Sequence, residues 1–422
     1  STLGETTDAA YGTGTAASLY GSATADLQVG KNTIPGNKVE EIDSYTDNVA
    51  TNPFRSSQHW KKFANNYTSD SLRQYQLKST KNRKIFLPNF QTSYSNLSKE
   101  EFYKEIKVVM EERRWRTDDK PTSQVKEQFA STVFKSHPYS RPVVGWMNDL
   151  ENMTVEDARE WYQNWYAPNN AILVVVGDIQ ANDVLNLAKK YFEKIPARKI
   201  PERKPQVEPK QIGERRSVIK APSELSYLLM GYQAPTLMDP LGNNESSWEP
   251  YALEMLSNIL AGNGSSRLNQ NIVRNQRLAV NVSAGYDSTS RGRISLFELE
   301  GTPNDFKKIN ELENALLQEI EKIKKDGVTQ EELDRVKSMV IASDVYQKDS
   351  MFGMAMEIGQ LETMGYSFHL SDGYIEKVNS VTSEQIKNVA TKYLTRDKLS
   401  IVILDPQPMT EATLPKGRPH VH

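Results

Sequence analysis

The sequence predicts an α+β chain of two homologous domains, each a mostly antiparallel sheet with helices packed on one face. Three observations carry this expectation. The chain has 422 residues, more than one hydrophobic core ordinarily serves. Residues Thr154–Val176 and Thr382–Leu404 align without a gap at an offset of 228, with Thr154 on Thr382, Glu156 on Glu384, Trp165 on Tyr393 and Val174 on Val402. An unbroken match of cap, helix, turn and strand points to internal duplication. Between the copies stand Pro196, Pro201, Pro205 and Pro209 among lysines, arginines and glutamates, a composition that makes a stiff, extended connection. The domains are therefore expected at 1–195 and 215–422, joined by a linker at 196–214.

Residues 1–97 are rich in Ser, Thr, Asn and Gly and show little apolar periodicity, which read alone suggests long loops. Glu100–Pro121 reads as a helix, with Ser98 as N-cap and Glu101 three residues on as its capping partner. Val125–Phe134 reads as a second helix, followed by a turn-rich stretch from His137 to Gly145. Thr154 then caps a helix through Trp165, Pro168-Asn169-Asn170 turns the chain, and the apolar run Ala171–Gly177 reads as a strand covered on both faces. A helix at Asn182–Phe192 closes the first half.

In the second half, strands are expected at Ser226–Tyr232, Leu278–Tyr286, Ile294–Gly301 and Leu399–Leu404. Helices are expected at Trp248–Leu260, Asn304–Lys325, Glu331–Tyr346 and from Thr382 to Leu394. Gly262–Leu268 reads as a helix-breaking turn.

The chemistry-bearing stretch is the helix after Ser98. At 100° per residue, Phe102, Glu105, Val109 and Glu112 share one face, so two carboxylates seven residues apart stand on a face that also carries apolar residues. A carboxylate placed there needs an arginine, a hydrogen-bond network or a metal.

Glu105–Pro121, His137-Pro138-Tyr139 with Pro142 and Gly145, Tyr166–Ala171 running into Val176-Gly177-Asp178, Ser265-Ser266-Arg267-Leu268, Asp349-Ser350 and Val381-Thr382 together resemble the pitrilysin/insulinase family of zinc metallopeptidases, in its bacterial and mitochondrial processing-peptidase branch. The resemblance covers about residues 97–408. It implies that Glu112 is a zinc ligand, that Glu105 supports it from behind, and that Arg267 lines the substrate cleft. It further implies a zinc-dependent endopeptidase subunit acting on peptides or unfolded protein, or a catalytically inactive structural or peptide-binding subunit of the same fold.

The departures are as informative as the match. The family's other ligands and its base come from His-x-x-Glu-His on an upstream helix, here expected within residues 30–43. That stretch reads Gly-Lys-Asn-Thr-Ile-Pro-Gly-Asn-Lys-Val-Glu-Glu-Ile-Asp, and no histidine precedes His59. Two explanations fit: a non-catalytic subunit, or letters before about residue 97 that are not those of the gene. Val273 and Val280 stand where single-chain members carry the arginine and tyrosine that hold substrate. The resemblance then implies a heterodimer with a related subunit bearing that pair.

Other classes are disfavoured. Lys plus Arg (52) balances Asp plus Glu (54), which gives no electrostatic case for nucleic acid. No apolar run is long enough to span a bilayer. The amino terminus lacks a basic start and apolar core, and a bacterial periplasm or another soluble compartment is expected. The absence of cysteine removes disulfides, thiolate ligands and a cysteine nucleophile. His59, His137 and His369 read as surface or structural residues, and His420 and His422 as a tail.

Overall fold

The computed structural model describes residues 98–204, 206–237, 248–289 and 294–409, together with the strand backbones 76–78 and 84–86. The chain divides into two units, each discontinuous in sequence: Ser1–Ile106, Val143–Ala171 and Leu187–Pro201, and Lys107–Pro142, Ile172–Asn186 and Glu202–His422.

In chain order, β1 (Gln76–Lys78) pairs antiparallel with β2 (Lys84–Phe86). Helix α1 (Lys99–Arg113) starts where expected, the Glu101 N–H donating to Ser98 Oγ at 3.1 Å. It ends in a wider turn, Arg114–Asp118, closed by Asp119 N–H to Arg114 O at 2.8 Å, a π-type step of the kind found where a helix must be re-aimed. Pro121 then opens α2 (Pro121–Val133), at the one helical position where its missing N–H costs nothing.

Helices α3 (Met147–Asn152), α4 (Val155–Trp165) and α5 (Ala181–Phe192) follow. The second half contributes β3 (Arg215–Pro222), β4 (Tyr227–Ala234), α6 (Glu249–Ala261), β5 (Ala279–Tyr286), β6 (Ser295–Pro303), α7 (Ile309–Asp326), α8 (Gln330–Lys348), α9 (Met351–Thr363), α10 (Tyr374–Ser380), α11 (Ser383–Tyr393) and β7 (Leu399–Gln407).

The fold is α+β. A five-stranded sheet runs β3-β7-β4-β6-β5, antiparallel except for the parallel pair β3–β7. Its central strands are apolar on both faces, which obliges both faces to be covered. On one face Leu228, Met230 and Tyr232 of β4 and Leu399, Ile401 and Ile403 of β7 meet α6, α7 and α11. On the other, Tyr227, Leu229, Val402 and Leu404 meet Val125, Phe129 and Val133 of α2. The expectation of helices on one face thus holds for the second half's own helices, and a first-half helix supplies the second cover.

That contact is close. A Cβ on Gly231 would lie 2.5 Å from Phe129 Cζ, so glycine there lets the ring sit on the strand backbone. Val125, Phe129 and Val133 are each at most 2% exposed. At about 1.5–3 kcal/mol per fully buried side chain, apolar burial outweighs an exposed ion pair worth about 0–1 kcal/mol.

The repeat is visible in local structure. Thr154 and Thr382 both close capping boxes, and α4 and α11 keep the 228 offset at both ends. The short turns Pro168–Asn170 and Arg396–Lys398 follow in the same register. The strand does not repeat. Ala171–Gly177, expected to match β7, pairs with no strand among the described residues, and Ile172, Leu173 and Val175 are 43–51% exposed. A strand exists only through its neighbours' hydrogen bonds, whereas cap, helix and turn are local. β3 was not anticipated, because Arg215, Arg216, Lys220 and Pro222 continue the charged, proline-bearing composition of the preceding segment.

Replacing Gly231 by alanine is expected to destabilise the protein by about 1–3 kcal/mol, the range for overpacking a filled core. Adding Phe129→Leu should recover part of that loss. Denaturant unfolding of both variants checks this, and an unchanged midpoint in Gly231→Ala would show that the ring can move aside.

Candidate functional site

Glu112 lies in the last turn of α1, about a fifth exposed, with Arg116 Nε 3.0 Å from its Oε1. The next residue, Arg113, is 5% exposed. Its guanidinium forms a fork on Glu127 of α2, NH1 to Oε2 at 2.7 Å and NH2 to Oε1 at 3.0 Å, and reaches Asp118 Oδ1 at 3.2 Å. The hydrogen bond it donates to Glu127 holds Arg113 above its ordinary pKa against the opposing effect of burial. These groups set the end of α1 and its wide turn against α2.

The face expected to carry Glu105 inward is rotated. Phe102 is buried and Glu105 exposed, while Val109 and Glu112 are intermediate. The buried charge is Arg113, which sequence reading passed over. Its signal was available: Phe102, Ile106, Val109 and Arg113 follow the i, i+4, i+7, i+11 spacing of one helical face.

The residues present do not fit a zinc ion. A catalytic site takes three protein ligands and a water. Among the described residues no group of three His, Cys, Asp or Glu side chains could hold a metal. Glu112 is paired with Arg116. The stretch 30–43 lies outside the described residues and carries no histidine. His59, His420 and His422 also lie outside them.

His137 is structural: its Nδ1 accepts from the Tyr139 N–H at 3.2 Å, and its ring stands 5.4 Å from Phe134. The turn it occupies is held by Glu208, whose carboxylate accepts the N–H groups of Lys135, Ser136 and His137 at 2.7–2.9 Å. Burial pushes Glu208 up, and these donors more than offset it, leaving the carboxyl below its ordinary range. His369 is exposed beside Asp372 at 2.9 Å.

Arg267 lies against α8. Its Nε and NH2 donate to Glu332 at 2.8 and 2.7 Å, and NH2 to the Gly327 carbonyl at 3.2 Å. The Arg267 hydrogen bond is the largest effect holding Glu332 down to about 2. A direct grip on a substrate would require Arg267 to leave this pair. Val273 packs against the core from a wide turn, Asn269–Asn275, and Val280 on β5 is 56% exposed. Neither side chain offers a hydrogen-bond donor. Arg277 between them takes a φ of 51°, an uncommon backbone for a residue with a Cβ.

The family model described as Peptidase M16 inactive domain matches residues 152–340. The chain is 35% identical over 248 residues to Zinc protease PqqE of Helicobacter pylori, covering 57% of this chain and 53% of that protein. The match thus spans about half of that relative's length. Among solved structures, a protease from Helicobacter pylori superposes with a TM-score of 0.68 at 28% identity, covering 76% of this chain and 78% of that one. The peptidase M16 inactive domain from Pseudomonas fluorescens gives a TM-score of 0.64 at 18% identity over 75% and 73% of the two chains, a likeness of fold.

Arg113→Met is expected to cost about 3–5 kcal/mol, because it strands Glu127 in a mostly buried place. The double variant Arg113→Met/Glu127→Leu should recover much of this, and a double-mutant cycle by chemical denaturation measures the coupling. Glu332 is held below its ordinary 4.5, so its stabilising contribution is present above about pH 4.5 and is lost as pH falls through about 2. Acid titrations of stability should show a smaller loss in that window for Arg267→Gln than for the unaltered chain.

Proposed function

Because the chain belongs to the pitrilysin/insulinase-like family, we propose that it is one subunit of a two-chain, processing-type peptidase acting on extended or unfolded polypeptide. In this reading it carries the fold and the Glu112 helix and does not hydrolyse peptides alone. The observation behind it is the pinned end of α1: Glu112, which the resemblance matches to the family's ligand position, is paired with Arg116, and among the described residues no three metal-ligating side chains come together. Val273 and Val280 extend the argument. Neither can offer charge or a hydroxyl to a substrate carbonyl or a developing oxyanion, so a related partner bearing arginine and tyrosine would supply that half. Zinc is expected from the names of the relatives, and no step is assigned to it here. The domain division 1–195 and 215–422, Glu105 as support for Glu112, Arg267 as a residue of the substrate cleft, and a bacterial periplasm or other soluble compartment belong to the same proposal. No described helix is long and apolar enough to cross a membrane.

A second reading is favoured by the family model's description as an inactive domain and by the lack of a metal-ligating group among the described residues. In it the chain is a structural or peptide-binding subunit that never cleaves.

The test assays the purified chain, alone and with a related Arg/Tyr-bearing partner, on an unfolded polypeptide with zinc supplied, alongside metal analysis and protein sequencing of residues 25–60. The chain alone is expected to be inactive. Chelator-sensitive cleavage with the partner, lost when the partner's arginine becomes alanine, supports the first reading. No zinc, no cleavage and a confirmed Pro35-Gly36-Asn37 leave the second. Full turnover by the chain alone overturns both.

A further inference from the structure

A group of charges unconnected with Glu112 stands on the turn that leads into β5. Between Glu254 and Asp287 the sequence carries Arg267, Arg274 and Arg277 and no acidic residue. Arg267 is taken up by Glu332 and the Gly327 carbonyl. Arg274 and Arg277 are exposed, and among the described residues neither meets a carboxylate. Asn275 and Gln276 between them are exposed as well.

The turn is firmly held. Arg274 belongs to the wide helical turn Asn269–Asn275, closed by Gln276 N–H to Asn271 O at 3.0 Å, a form frequent at functional sites. Ile272 is fully buried and Leu278 nearly so, and the Asn271 side chain donates to Glu319 of α7 at 3.0 Å. The Leu278 N–H donates to the Ile272 carbonyl and the Asn304 N–H to the Leu278 carbonyl, each at 3.0 Å. The Asn304 side chain donates to the Arg277 carbonyl. Arg274 Nη2 lies 3.0 Å from where a Cβ would stand on Gly264, so the missing side chain there gives the guanidinium its place.

These bonds hold Arg277 at φ 51°, and no other described residue except glycine has a positive φ. Glycine is at ease there and a residue with a Cβ is not. Strain that the surroundings over-determine points to function. Glycine would serve the fold better at this position, and what arginine adds is an exposed guanidinium.

We propose that Arg274 and Arg277 bind carboxylates of an acidic, extended polypeptide laid along β5. This deepens the reading of the chain as a subunit that takes extended polypeptide, and rests on it. A guanidinium fork matches the planar carboxylate. Among the described strands β5 is at the edge of its sheet, paired only with β6, and it begins at Ala279, just past Arg277. Val280 and Asn281 at its start are exposed. An extended chain adds to such an edge through its backbone, which carries its side chains past the two arginines. Balanced overall charge disfavours nucleic acid as the ligand.

The test reads binding, not turnover, by fluorescence anisotropy with the full chain. The probe is an unstructured, end-blocked peptide with adjacent glutamates, and its counterpart has glutamines in their place. A neutral peptide with a free carboxyl terminus shows whether a terminal carboxylate serves as well as a side-chain one. The unaltered chain should hold the glutamate peptide about tenfold more tightly than the glutamine one, a preference that shrinks with salt. Arg274→Gln and Arg277→Gly should each remove most of that preference and leave the glutamine peptide's affinity unchanged. Arg277→Gly should also melt at the same or a higher temperature, since glycine relieves the backbone. A lower one would make Arg277 a support of the fold and overturn its assignment. Equal affinities for the two peptides, or an undiminished preference in either variant, would overturn the patch, as would tighter binding of inorganic phosphate or an oligonucleotide. A chain that cleaves with its partner yet shows no preference sinks the patch alone, and a chain that never cleaves but shows the preference sustains it.

Discussion

The second unit rests on the seating of α2 against the sheet. β4 and β7 are apolar on both sides, and a strand of that kind is stable only with both faces dry. Helices of the second half cover one face; Val125, Phe129 and Val133 cover the other. The absence of a side chain at Gly231 admits the Phe129 ring. Once α2 is fixed, Glu127 is fixed with it, and its fork to Arg113 sets where α1 ends. The position of Glu112 is thus inherited from apolar packing two contacts away.

Carboxylates of similar chemistry take different characters from their surroundings. Glu332 faces an arginine fork and a helix start and stays charged far into acid. Glu208 keeps its charge through backbone N–H groups, with burial working against it. Glu254 is pushed the other way, to about 7, by burial first and then by Asp287 and Asp344, against the hydrogen bond it accepts from Tyr374. Glu112 is paired with Arg116 at the edge of a wide turn. None of these outcomes follows from residue type; each follows from what the fold brings within a few ångströms.

What was legible in the sequence was local. Ser98, Thr154 and Thr382 announce helix starts because a capping hydroxyl acts within three residues. The apolar runs of β4 and β7 announce themselves because they are dry on both sides. What was not legible depends on distant partners. The run Ala171–Gly177 has strand composition, yet composition supplies no neighbour to pair with. Charge and proline hid β3, although its parallel register on β7 makes it part of the sheet. Arg113 was overlooked because its acidic partner, Glu127, lies on another helix. Arg267 looked available for a substrate because Glu332 is 65 residues away.

The same reasoning limits what the Glu112 helix says about metal. A helix can keep its geometry because an ion organises it, or because packing does. Here the forces are visible: a capping hydroxyl at one end, an arginine fork at the other, and a neighbouring helix driven onto a sheet by apolar burial. The apolar part of this scaffold is worth several kcal/mol and needs no ion. Persistence of the helix therefore follows equally from a chain that binds zinc and from one that has lost the other ligands. What bears on the two is the chemistry of residues 30–43, which hold two glutamates and no imidazole. A carboxylate held ready by packing can serve a metal only if further donors reach it, and Arg116 is the partner it keeps while they do not.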